Sequence, residues 1–149
     1  MMKLTWIVFW LLMGAFVVIA SVFSIPAARE LLMGITFLIV AGTIFLALGV
    51  ALMVLAVKEK VAGALKKFLI LTGASVVGIP VSVVLHNAIY GLFIAWFGAG
   101  FWDRVGLGDE PFFFLMAIVV CPLAFLVGAI GTIVLVLRGR RVAGKSLSV

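Results

Sequence analysis

Charge is the scarcest feature of this chain. Only 11% of its 149 residues are charged, against about 25% in a soluble domain. Cysteine is nearly absent: Cys121 stands alone, so no intramolecular disulfide can form. Histidine and tyrosine also occur once each, as His86 and Tyr90. One His and one Cys cannot make a Cys/His metal cluster, and no metal site is predicted. The chain has no glycine-rich phosphate loop, no nucleophile elbow and no HExxH. Those absences count against a familiar enzyme, so no catalytic residue and no cofactor are assigned.

What remains is apolar. Hydrophobic residues make up 67% of the chain and mean hydropathy is +1.48. A soluble fold of this length cannot hide that much apolar surface, so lipid must stand in for water. Backbone groups in lipid must be paired within the chain, which here means helices. The predicted fold is all-α, a single four-helix transmembrane domain over residues 1–149 with short loops.

The spans are predicted near 4–23, 31–57, 68–90 and 112–137. Leu4 to Phe23 is uncharged over the length of one crossing. It exceeds the 7–15 apolar residues of a signal peptide, and Ser24-Ile25-Pro26-Ala27-Ala28 is a poor cleavage site, so a retained helix is expected. Residues 24–30 are read as a polar turn containing Pro26. Leu31 to Val57 is rich in small residues, among them Gly34, Gly42 and Gly49, which let helices approach closely. A polar linker is expected from Lys58 to Lys67. The third segment stays apolar from Phe68 to Trp102, too long for one straight crossing. A kink at Pro80 is predicted, with the span ending near Tyr90 and an aromatic extension to residue 102 lying in the interface. In the fourth span, Cys121-Pro122 marks a second expected kink, and Cys121 itself reads as a small core residue.

Charge placement sets the expected orientation. Four spans put both termini on one side, together with Lys3, Lys58, Lys60, Lys66, Lys67, Arg138, Arg140, Arg141 and Lys145. Arg29 and Arg104 lie opposite, with most of the acids. The net values are +8 and −2, which make the formal +6. The positive-inside rule then makes the termini cytoplasmic in a multi-pass plasma-membrane protein, with residues 138–149 as a basic cytoplasmic tail. Lys58, Lys60, Lys66, Lys67, Arg138, Arg140 and Arg141 are assigned to anionic lipid headgroups rather than to nucleic acid.

Chemistry is sought on one stripe. Ala74, Gly78, Ser82, His86 and Tyr90 recur every four residues, so on a helix they form a drifting line with Asn87 beside it. Ala74, Gly78 and Ser82 are assigned to helix packing, as are Ala124, Gly128 and Thr132 on the fourth span. His86, Asn87 and Tyr90 form a candidate polar site near the outer boundary, with interhelical hydrogen bonding as the simpler role. Asp109 and Glu110, before Pro111, read as a helix cap or as an outer acidic site. They lie on the same side as His86, so a joint site is conceivable.

Three functional readings follow. The first is a non-enzymatic protein that works by helix packing, as a homo-oligomer or as an accessory subunit of a membrane complex. The second is an oligomeric channel or carrier with His86, Asn87 and Tyr90 at its outer mouth. The third is haem or pigment binding through His86, since imidazole can ligate such metals.

Overall fold

A computed structural model describes residues 3–32 and 34–146 of the chain, and the side chains of 35 and 140–146 are left aside. Among the described residues there is no strand. The helices are α1 (Lys3–Ser24), α2 (Pro26–Leu32), α3 (Ile35–Lys58), α4 (Gly63–Phe97), α5 (Phe101–Arg104), α6 (Pro111–Leu115) and α7 (Cys121–Ser146). A π-helical turn, Met116–Val120, joins α6 to α7. Four helices are long and apolar enough to cross a membrane: α1, α3, α4 and the α6–α7 rod. The protein is an all-α, four-helix membrane-spanning protein.

Several boundaries differ from the sequence-based expectation, each for a local reason. The polar turn at 24–30 is largely helix, because Pro26 sits at the first position of α2 and is followed by good helix formers. The second span therefore does not absorb residues 31–34; Gly34, extended at φ −103°, opens α3. The 58–67 linker shrinks to Glu59–Ala62, and Lys66 and Lys67 lie in the first turns of α4. At the other end, α4 does not stop near Tyr90. It runs as one 35-residue helix through Pro80 to Phe97, roughly 52 Å. Gly98 stops it by turning to φ +89°, a value L side chains rarely adopt. The basic tail is helical as far as Ser146. Arg140 and Arg141, expected at headgroups, have side chains outside the described residues.

Pro122, at the second expected kink, is accommodated by a change of helix type. Pro122 has no N–H for the Ile118 carbonyl, and its ring crowds that carbonyl. The ladder widens just before it, and the Cys121 N–H reaches back five residues to the Met116 carbonyl. Cys121 is buried, and its Sγ faces Gly78, where a Cβ would come within 2.8 Å of it.

The long helices stand side by side in the order α1, α3, α4, α7. Phe125 closes the arrangement: it is 1% exposed and its ring lies 4.7 Å from Phe16 of α1 and 5.9 Å from Phe45 of α3. The core lies on one side of the molecule's length. Phe9 and Leu12 of α1, Leu52 and Ala56 of α3, and Leu69 and Val76 of α4 form one core cluster with Phe125. All come from the halves nearest the Glu59–Ala62 turn, here termed the lysine end. Thr5 ties that end together by donating to Glu59 Oε2 at 2.6 Å.

Glycines in this half are used for close approach. A Cβ on Gly49 would lie 2.7 Å from Val76, and one on Gly73 would lie 2.6 Å from the Gly49 carbonyl. On α7, a Cβ at Gly128 would lie 2.5 Å from Thr72 Oγ1, and one at Gly131 would strike the Phe68 ring. Of the residues assigned to packing, Ser82, Gly128 and Thr132 are buried and Gly78 and Ala124 half-buried. Ala74 is exposed and takes no part in the packing among the chain's own helices. A line of residues four apart drifts round a helix of 3.6 residues per turn, and the α4 seam at this level is Thr72, Gly73, Ser75 and Val76.

The opposite, aromatic end is looser. Gly14 of α1 and Gly34 and Gly42 near the start of α3 have no atom within 4 Å of a built Cβ. An open groove of ≈ 370 Å³ runs between α3 and α4, lined by Leu38, Ile39, Gly42, Phe45, Ile79 and Pro80 among others.

Candidate functional site

The polar half of the α4 stripe meets the start of the fourth span. Glu110 occupies the N-cap of α6, where its carboxylate accepts from the Phe112 N–H at 2.8 Å and the Phe113 N–H at 2.9 Å. Those amides have no partner within the helix, and the positive helix terminus favours an anion there. Pro111 suits the position after the cap because it has no N–H to satisfy. Asp109 supports the turn by accepting from the Glu110 N–H at 2.7 Å. The 105–110 connection therefore has a defined shape, and it delivers both acids to one place.

His86 is the residue they meet. Its Nδ1 lies 3.0 Å from the Glu110 carbonyl oxygen and 3.3 Å from Glu110 Oε2. Its Nε2 lies 3.4 Å from Asp109 Oδ2. The His86 side chain is 16% exposed, Glu110 6% and Asp109 53%, so the cluster is buried on one side and exposed on the other. The Phe114 ring, 5.8 Å from the imidazole, supplies the apolar wall. A shallow recess lined by Leu107, Gly108, Asp109, Glu110, Pro111 and Phe114 adjoins it.

The other two members of the predicted polar site do not join this cluster. Asn87 is exposed, and its amide donates to the Val83 carbonyl of its own helix at 2.8 Å. Tyr90 stacks on buried Trp102, the planes 7° apart, and the indole Nε1 donates to the Tyr90 carbonyl at 3.3 Å. Trp102 belongs to an aromatic cluster with Phe93, Phe97 and Phe101 that folds α5 back against the end of α4. Arg104 donates to the Phe97 carbonyl and caps that end. His86 is thus joined to the acidic pair, while Asn87 and Tyr90 serve α4 and its aromatic cap.

Because Glu110 sits beside His86, the fourth span begins at the level of His86. The eleven residues of α4 from Asn87 to Phe97 continue beyond that level for roughly 16 Å. They carry the aromatic cluster, and no charged residue lies among them.

Among the described residues, no group of three or more His, Cys, Asp or Glu side chains is arranged to hold a metal ion. What the site does in the structure is bring one imidazole and two carboxyl groups together across α4 and the start of the fourth span. No protein-family model matches this chain, and neither a curated protein nor a solved structure was found to match it.

Proposed function

We propose that this chain acts without catalysis, by helix packing, as a homo-oligomer or as an accessory subunit of a larger membrane complex. The observation that carries the reading is the unequal use of glycine. Gly49, Gly73, Gly128 and Gly131 each face a neighbour too close for a side chain, whereas Gly34 and Gly42 face no atom within 4 Å among the described residues. In membranes, small residues serve helix approach rather than contact with lipid. The notch at Gly42, beside the Pro80 groove, is shaped for another helix. The exposed face of α7 differs, being built of Leu123, Val127, Ile130 and Leu137, side chains suited to acyl chains.

In this reading the protein sits in the plasma membrane with both termini in the cytoplasm. Exposed Lys58, Lys60, Lys67 and Arg138, with half-buried Lys66, meet anionic headgroups there. Each contributes about 1 kcal/mol of attraction near the surface. The test is the protein mass of the particle purified in mild detergent or extracted with native lipid. The reading expects two or more copies, or one copy with a partner subunit. A stable lone chain under both conditions would refute it.

A channel or carrier is the second reading, favoured by the partly buried His86–Asp109–Glu110 cluster with Asp109 exposed at its edge. Proton-coupled flux in liposomes tests it, and flux equal to empty vesicles removes it. Haem or pigment binding through His86 has less support, since both ring nitrogens already face partners.

A further inference from the structure

The three acceptors around His86 impose a condition on its protonation. A backbone carbonyl only accepts, so the 3.0 Å contact with the Glu110 oxygen requires a proton on Nδ1. The second Nδ1 neighbour, Glu110 Oε2, belongs to the carboxyl group that accepts from the Phe112 and Phe113 N–H groups. A neutral imidazole has one N–H. Once Nδ1 carries it, Nε2 presents a bare lone pair to Asp109 Oδ2 at 3.4 Å. Two acceptors face each other with no proton between them.

We infer that His86 Nε2 and the Asp109 carboxylate form a proton-binding site at the aromatic end, whose occupancy clasps α4 to the start of the fourth span. A proton taken from hydronium adds to the Nε2 lone pair and leaves water behind. The imidazolium then donates from Nδ1 to Glu110 and from Nε2 to Asp109, satisfying both nitrogens. Asp109, half in solvent, is the route by which the proton arrives.

Among the described residues, the surroundings contain no competing charge. From the connection and α6, the titratable groups facing His86 are Asp109 and Glu110. On α4 itself, Tyr90 is one turn away and stacked on Trp102. On α5, Arg104 is held on the Phe97 carbonyl at the far end of α4, beside Asp103. The only charged residue of α3, Lys58, is at the lysine end. The nearest titratable group of α7, Cys121, faces Gly78 two turns down α4.

His86 is the only histidine, so the full chain labelled at histidine and held in lipid nanodiscs gives one imidazole nitrogen spectrum. At pH 8 the expected neutral form carries its proton on Nδ1, with Nε2 bare. Acidification to pH 5 should protonate Nε2 and strengthen its dipolar coupling to the Asp109 carboxyl carbon. An Nε2–H tautomer at pH 8, or an Nε2 still bare at pH 5, would overturn the inference. Asp109→Asn provides the second arm. Its amide can donate to the bare Nε2 at pH 8, so the Nε2 signal should move to its hydrogen-bonded position without a proton. An unchanged Nε2 signal in that variant would show that residue 109 does not face His86, and would equally overturn the site.

Discussion

Gly42 and Gly49 lie two turns apart on α3 and meet opposite surroundings. A Cβ on Gly49 would press into Val76 at 2.7 Å, whereas one on Gly42 would meet nothing within 4 Å. The difference extends to the whole molecule. The lysine half has interlocked glycines, a Phe125-centred core and a Thr5–Glu59 tie. The aromatic half is held by one cluster, His86 with Asp109 and Glu110, and by the ring stack on Trp102. Lipid is as apolar as leucine, so burial of apolar area does not draw helices together in a bilayer. Close packing and hydrogen bonds must do so, and the two halves divide these between them.

The comparison can be broken most severely at the tight seam. Gly128→Leu forces a side chain against Thr72 and should cost about 3 kcal/mol, the upper range for overpacking, read as a lowered midpoint of denaturant unfolding in bicelles. Phe125→Ala should cost a similar amount, about 3 kcal/mol, by leaving a cavity where three helices meet. In the open half, Glu110→Ala removes the helix cap and should cost about 1–2 kcal/mol by the same measurement.

Smaller effects sharpen the contrast. Thr132 is fully buried, and its hydroxyl has no hydrogen-bond partner among the described residues. Thr132→Val removes that unpaired oxygen at nearly constant shape and should stabilise the fold by about 1 kcal/mol. Gly42→Ala should leave the unfolding midpoint of the single chain within about 0.5 kcal/mol, since its Cβ meets nothing. A large loss at Gly42, or none at Gly128, would erase the distinction between the halves.

Much of this architecture is legible in the residue order, because hydropathy and charge act over whole segments. Four apolar runs mark the four spans, and Asp109-Glu110-Pro111 signals the start of the last. The juxtaposition of His86 with the two acids is accessible in outline, since both lie toward one end of their spans. Their actual contact depends on where α4 and α6 sit side by side, which hydropathy does not encode. Helix ends are less legible: propensity over 26–32 makes a helix of what polarity reads as a turn, and α4 passes Tyr90 because nothing before Gly98 stops it. Least legible is which small residues pack. Ala74 and Gly73 are neighbours in sequence, yet only Gly73 meets α3, because a turn of about 100° per residue separates them.

The account turns on what covers Gly42. A spin label at Gly42→Cys, in a Cys121→Ala background, reports collisions with oxygen dissolved in the bilayer, and Ile130→Cys on the bulky face of α7 serves as reference. The account predicts that residue 42 is shielded in lipid membranes and residue 130 is not. Equal, high accessibility at both positions would mean that the open half faces lipid alone, and would contradict it.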